Sequence, residues 1–385
     1  MPKVSILLPV YNSITRMERT DFLQQTLDSI VNQTHQDIEL LILDNQSIDS
    51  TVEVCNSIAS KDDRIKVFID SKHRPAEEAQ SDLVKIAKGE YVMCMADDDL
   101  LNHRYIATLV NALEMNRKID MAYTNGLYIN VNNQVSIGRL ISNTDGIYNS
   151  EYYYENFYKA IHKRKVLPVV YGIFKKEVFQ SLMPYAPFDQ LRANMDNLLM
   201  AKFFLNKHTI SFVDSNLVYY RHRDRSLNAA SVDWMPTNPI LVWVYYVRHQ
   251  LYFYNAICFL INETNNGELT EALKITTLDS CLNQCVNLLD WVARDLVEDA
   301  FEQNVVLEIF KQFKPIYDLM LPNLAENQAV VRKQQDTNRL RCKILQERVM
   351  GYIKNVVQET ELVVDTQNVI GVIKEEIIKK LNTSS

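Results

Sequence analysis

The first hundred residues alternate short apolar runs with stretches of helical spacing. Val4-Ser5-Ile6-Leu7-Leu8-Pro9-Val10 is a continuous apolar run closed by a proline, the pattern of a strand buried on both faces. Asp21 to Val31 then sets Phe22, Leu23, Leu27, Ile30 and Val31 at helical intervals, and Ile38 to Leu43 is a second apolar run ending at Asp44. The unit repeats. Asp49 is placed to cap a helix over Ser50 to Ser60, Ile65 to Ile69 reads as a strand, Ala76 to Ala87 as a helix, and Glu90 to Ala96 as a fourth strand. Four alternating units predict an α/β fold with a largely parallel sheet and helices on both faces. Such sheets bind ligands at the carboxyl ends of their strands. Here those ends are Pro9 to Asn12, Asp44 to Ser47, Asp70 to Pro75, and Ala96 to Asp99.

Further along, the pattern predicts a strand over Met121 to Thr124, a polar hairpin around Val131 to Val135, and an irregular Tyr-rich segment from Tyr148 to Tyr158. A helix is expected over Asp196 to Leu205, then separate strands over Ile210 to Val213 and Leu217 to Tyr220. Beyond about Pro239 long amphipathic stretches replace strand punctuation, so the expected boundary separates an α/β domain, 1–238, from an α-helical domain, 239–385. The aromatic crowd at Trp243, Tyr245, Tyr246, Tyr252, Phe253, Tyr254 and Phe259 suits a helix-bundle core, or alternatively a surface for peripheral membrane association. Val330 to Leu381 suits a terminal bundle or a coiled surface through which the chain would form a homo-oligomer.

Composition narrows this picture. With 47% hydrophobic and 23% charged residues in 385, the chain can bury a large core, which excludes disorder and a disulfide-stapled miniprotein. A net charge of −7 offers no basic footprint for nucleic acid. Six scattered cysteines without a C-x-x-C read as reduced, and Cys281 and Cys285 as packing residues, so a cytoplasmic location is expected. The longest apolar stretch, Trp243 to Ile261, is cut by Arg248, His249 and Gln250, which argues against a membrane span. Eight glycines, and neither G-x-G-x-x-G nor G-x-x-x-x-G-K-[ST], remove the support for dinucleotide and P-loop folds.

The sharpest chemical feature is Asp97-Asp98-Asp99, three carboxylates directly after an apolar strand. Clustered oxygen ligands suit Mg²⁺ or Mn²⁺ bound jointly with substrate phosphates, although an acidic turn before the helix near Asn102 would read the same way. Asp44 stands alone at the end of the second strand, able to accept from a ribose or base, or to serve a turn. Arg74 could meet a phosphate or be a solvated loop arginine, and Asp196 opens a helix as a first-turn acid would.

Taken in order, Pro9-Val10-Tyr11-Asn12, Asp44-Asn45-Gln46-Ser47-Ile48-Asp49-Ser50-Thr51, and Ala87-Lys88-Gly89-Glu90-Tyr91 leading to Asp97-Asp98-Asp99 resemble the family 2 inverting glycosyltransferases of GT-A fold. The resemblance is strong over Val4 to Leu113 and fainter through Asp196 to Ser226. It implies a nucleotide-binding half over 1–115 and an acceptor-side half over 116–238. It also implies a nucleotide-diphospho-sugar donor, a UDP-sugar in first place, and a glycan, lipid-linked or protein acceptor in bacterial surface polysaccharide, glycolipid or glycoprotein synthesis. Pro9, Val10, Tyr11, Asn12 and Asp44 would hold the nucleoside, Asp97 the ribose, and Arg74 and Arg223 the phosphates. Asp98 would be the leading ligand of Mn²⁺ or Mg²⁺, with Asp99 and His222 as further candidates, and Asp196 the general base.

The chain departs from the family strings in three places. Ala96 stands where D-x-D-D would begin, Ala79-Gln80-Ser81-Asp82-Leu83 replaces A-R-N-x-G, and His222 comes one place early in the Y-R-x-H-x-x-S string. Ala96 and the altered Ala79 to Leu83 segment give footing to a rival, a non-catalytic nucleotide-sugar-binding scaffold. A nucleotidyltransferase also uses paired carboxylates and a metal, but the loop that would hold its triphosphate is missing.

Overall fold

A computed structural model describes residues 2–15, 20–74, 76–140, 147–148, 150, 152–163, 169–183 and 195–221, and in the second half 253, 256–264, 270, 273–274, 277, 280–281 and 284. The chain divides into two compact units, Met1–Ser231 and Val232–Ser385.

In the first unit, strand β1 (Val4–Val10) and strand β2 (Ile38–Asp44) are buried almost end to end, as their unbroken apolar runs require. They lie parallel in a register that sets Val10 level with Asp44. Strand β3 (Ile65–Ile69) joins β2 on one side, with Asp44 opposite Ile69, and strand β4 (Tyr91–Cys94) joins β1 on the other. Between them run helices α1 (Phe22–Val31), α2 (Thr51–Ala59) and α3 (Ala76–Ile86). Phe22, Leu23, Leu27 and Ile30 of α1 are fully buried, and a side chain of this size contributes about 1.5–3 kcal/mol when removed from water.

The remaining elements are strand β5 (Leu100–Leu101), helix α4 (Tyr105–Met115), strands β6 (Met121–Ile129) and β7 (Val135–Arg139), helix α5 (Tyr153–Tyr158), strand β8 (Ile173–Lys175), helices α6 (Lys176–Leu182) and α7 (Met195–Leu205), and strand β9 (Ile210–Arg221). The sheet runs β3-β2-β1-β4-β8-β6-β9-β5, with β7 on the flank of β6.

The sheet is largely parallel, as the pattern predicts, with short antiparallel strands added. The block β3-β2-β1-β4 and the pair β6 and β9 are parallel, but β8 runs antiparallel to both β4 and β6, β5 antiparallel to β9, and β7 antiparallel to β6. Two expectations change. The two strands over 210–220 are one strand, because the pairing passes from Thr124 with Val213 to Asn125 with Asn216, and Asp214 and Ser215 are looped out as a bulge. Asp49 does not occupy the cap position of α2, which falls to Ser50.

Gly89, before β4, is fixed by close approach: a Cβ there would lie 2.6 Å from the Ser5 nitrogen and 2.7 Å from the Tyr91 oxygen. Its own N–H donates to Ser5 Oγ at 2.8 Å.

In the second unit residues 256–263 are helical, and Phe253, Ala256, Ile257, Leu260 and Ile261 are buried at the spacing of one helix face. Cys281 is buried. Most of the expected helical domain, including Cys285 and Val330 to Leu381, lies outside the described residues. Among the described residues no helix is long and apolar enough to cross a membrane.

Candidate functional site

The parallel register delivers the ends of β1, β2 and β4 to one edge, and side chains there lace the loops together. Asn12, held at a positive φ of 46°, donates its main-chain N–H to Ser47 Oγ at 2.8 Å and accepts from the Ile48 N–H through Oδ1 at 2.9 Å. Ser13 donates its N–H to Thr51 Oγ1 at 2.8 Å and its hydroxyl to the carboxylate of Asp97. Asp49 accepts from Ile14 and Thr15 with one oxygen and, with the other, from the hydroxyl and the N–H of Thr51, the first residue of α2. The loops after β1 and β2 therefore form one knitted surface before any ligand arrives.

Pro9 and Val10 close β1 beneath this surface. Tyr11 stands partly exposed above it with its ring 4.3 Å from that of His73. Asp44 is buried at 1% exposure; its Oδ2 accepts from the Ser47 N–H at 3.0 Å, whereas its Oδ1 has no hydrogen-bond partner among the described residues. A buried carboxylate oxygen without a donor is costly, and a ligand hydroxyl or N–H would satisfy it. Cys55, beneath the sheet edge, senses both Asp44 and Asp97, whose charges together with burial push its thiol up to about 12. Asp44 and Asp97 thus share one neighbourhood.

Arg74 is otherwise employed than expected. Its guanidinium pairs with Asp70 through Nε and with Asp82 at 2.6 Å through Nη1, both of which hold it above its ordinary pKa. Its main chain brackets the Asn45 side chain, donating N–H to Oδ1 at 3.0 Å and accepting from Nδ2 at 2.6 Å. The phosphate contact is withdrawn: Arg74 staples the loop after β3 to α3. Asp82 lies in the Ala79 to Leu83 segment that departs from the family string, and it is one of three carboxylates, with Asp70 and Glu78, that pair with Arg74.

All three aspartates of the triplet are buried. Asp99 commits both oxygens inside the protein, one to the Arg221 N–H at 2.7 Å and the other to the Tyr171 hydroxyl. Burial and the adjacent Asp98 charge push Asp99 well above the ordinary carboxylate range. This occupancy corrects its candidacy as a metal ligand; its geometry is that of a residue holding the turn. Asp98 supplies the hard oxygen donors that suit Mg²⁺ or Mn²⁺, and the carboxylate of Asp97 packed beside it favours a cation nearby. Among the described residues no group of three or more His, Cys, Asp and Glu surrounds one point; a cation on Asp98 would need further oxygen ligands, of the kind substrate phosphates supply.

Asp196, at the start of α7, reaches solvent while crowded by surrounding protein, and that crowding pushes its carboxyl up to about 6. Its charge is felt by Cys94 at the end of β4, by Glu77 in the first turn of α3, and by Tyr220 on β9. Tyr220 is also raised by Asp98 and Asp99. One phenol therefore lies within electrostatic reach of both the acidic turn and the expected base. His222 and Arg223 follow Arg221 in the chain and lie outside the described residues.

Sequence reasoning missed Tyr171, Thr26 and the inward role of Arg221. Tyr171 sits in a segment too short to show periodicity, and an arginine in a basic string carries no mark of burial.

Comparison with known proteins follows this geometry. Residues 5–182 match the family model described as glycosyl transferase family 2. Glycosyltransferase GlyG of Streptococcus pneumoniae serotype 4 is 25% identical over 60% of this chain and 74% of its own length. The poly(ribitol-phosphate) beta-glucosyltransferase of Bacillus spizizenii is 32% identical over 30% of this chain, an alignment that takes in 18% of the relative. Among solved structures, S. aureus TarS 1-349 in complex with UDP-GlcNAc superposes with a TM-score of 0.54 at 16% identity, over 94% of this chain and 95% of the other. At that identity the likeness speaks for the fold alone.

Proposed function

We propose, from the match of residues 5–182 to the glycosyl transferase family 2 model, that the chain is a glycosyltransferase of that family and moves a sugar, with inversion at the anomeric carbon, from a UDP-sugar to an acceptor hydroxyl with the help of a divalent cation. The observation that carries the reading is that Tyr220, half-buried on β9, lies within electrostatic reach both of Asp98 and Asp99 and of Asp196. A scaffold that only bound the donor would have no use for a carboxylate poised there with a pKa of about 6.

In this reading the open oxygen of Asp44 accepts from the uracil or ribose, and Tyr11 offers its ring to the base. Asp97, oriented by Ser13, faces the ribose. A cation on Asp98 would neutralise the charge developing on the departing diphosphate. Asp196 accepts the proton of the acceptor hydroxyl as its oxygen attacks C1; the new C1–O bond forms while the bond from C1 to the diphosphate oxygen breaks, and UDP leaves from the opposite face. Fully packed Asp99, Tyr171 and Arg221 keep the turn in place during the exchange. The donor assignment is supported by TarS, solved with UDP-GlcNAc. A polyol-phosphate or other surface glycan acceptor is supported by the relative that glucosylates poly(ribitol-phosphate). Work at the cytoplasmic side of the cell fits a reaction that consumes a nucleotide sugar.

The test is a thermal-shift panel of UDP, GDP and dTDP sugars with and without Mn²⁺, since a ligand of the native state raises its melting temperature. UDP-sugars with Mn²⁺ are expected to raise it most, with the shift lost in EDTA. A shift for GDP-sugars alone would move the donor assignment, and absence of any shift would remove the reading. Transfer to an acceptor, with the product's anomeric configuration read by NMR, separates the enzyme from the scaffold.

A further inference from the structure

Arg221, at the end of β9, is one of the largest fully enclosed side chains in the molecule, at 2% exposure. Its main-chain N–H donates to Asp99 Oδ1 at 2.7 Å, and its Nε to the main-chain oxygen of Asp98 at 2.8 Å. Nη1 donates to Asn133 Oδ1 at 2.6 Å and to the Asn130 oxygen at 3.3 Å, and Nη2 to Gln25 Oε1 at 3.0 Å. The guanidinium lies 4.0 Å from the centre of the Phe22 ring. Four segments distant in sequence therefore meet on one cation: the acidic turn, α1, the turn between β6 and β7, and β9 itself. Asn133, held at a φ of 63°, closes the circuit by donating Nδ2 to Gln25 Oε1 at 3.1 Å.

We propose that Arg221 is a positioning residue: it fixes the direction in which Asp98 leaves the main chain and so sets the affinity of the site for a divalent cation and a nucleoside diphosphate, without touching either. The inference rests on the family 2 reading above. Bound from Arg221, the peptide plane after Asp98 cannot rotate. The plane after Asp99 is held by Thr26 Oγ1, which donates to the Asp99 oxygen at 2.9 Å. With both planes fixed, the carboxylate of Asp98 has a set origin and a narrow choice of rotamers. A planar fork with donors on several edges is what this arrangement demands; a lysine ammonium is a single point and cannot reach the acceptors on Asp98, Asn133 and Gln25 together. The polar turn over 130–134 thereby gains a role that its sequence did not suggest.

The experiment compares wild type, Arg221→Lys, and the pair Gln25→Ala with Asn133→Ala, each as the full chain. Binding of UDP is measured by isothermal titration at 15 °C across a series of Mn²⁺ concentrations, with circular dichroism to confirm folding. Arg221→Lys is expected to raise the Mn²⁺ needed for half-maximal UDP binding about 10- to 100-fold, as loss of a supporting partner does at metal sites. The Gln25→Ala and Asn133→Ala pair, which leaves Arg221 and the acidic turn intact, is expected to shift it about threefold in the same direction. A role in folding alone would lower the melting temperature while leaving the Mn²⁺ dependence of the folded protein unchanged, and that result would overturn the proposal. If Arg221→Lys does not fold, the pair decides by the same criterion. Wild type that binds UDP without any Mn²⁺ dependence would instead sink the family 2 mechanism, and the inference with it.

Discussion

Asp196 shows how a single residue can be useful chemically and costly structurally. Its carboxyl, with a pKa of about 6 against 3.8 in the unfolded chain, holds its proton in the folded protein over a range where the unfolded chain has lost it. The ionised form needed to accept a proton dominates only above about pH 6. Transfer is therefore expected to fall about tenfold for each pH unit below 6, read as kcat/KM in a pH series at saturating Mn²⁺. Asp196→Asn should lower transfer by about 10²- to 10⁴-fold while UDP binding persists. Loss of both together would mark Asp196 as structural. Linkage gives a second sign. The folded state is penalised for carrying the charge above pH 6 and not below about 4, so the Asn variant should melt higher than wild type at pH 7 to 8, an advantage that fades as the pH falls toward 4.

At the scale of elements, Gly89 marks where β4 and β1 come closest. Gly89→Ala forces a methyl group into main-chain atoms of Ser5 and Tyr91 that cannot swing aside, so it should cost about 1–3 kcal/mol in urea unfolding. The folded fraction should still bind UDP, because Gly89 lies at the amino end of β4, away from the ligand edge. The same elements explain what could be read in advance. β1, β2, β3, α1, α2 and α3 were legible because each carries its own periodicity over five residues or more, and the loops they deliver, with Asp44 and Asp97 to Asp99, followed from the alternation. β8 and β5 were not. Three residues and two residues hold no period, and their membership in the sheet is decided by partners far along the chain. Arg74 and Arg221 show the corresponding limit within the site. Sequence supplies a cation, but whether it faces a phosphate or is spent on Asp70 and Asp82, or on Asn133 and Gln25, depends on packing that has no local signature.

For the whole molecule, the compactness of Met1–Ser231 predicts that this unit carries donor binding by itself. Residues 1–231 expressed alone are expected to melt cooperatively and to show the same Mn²⁺-dependent rise with UDP as the full chain. Failure to melt cooperatively, or loss of the UDP response, would show that the second unit completes the donor site.

β8 touches each neighbour through only two residue pairs, Tyr91 with Lys175 and Val92 with Phe174 on one side, Met121 with Phe174 and Ala122 with Ile173 on the other. So brief a foothold leaves room for an excursion of variable length between Arg139 and Val169, whereas Tyr171, just before β8, must stay on Asp99. Such an excursion can be lengthened or trimmed without disturbing the parallel register that brings β1, β2 and β4 to one edge.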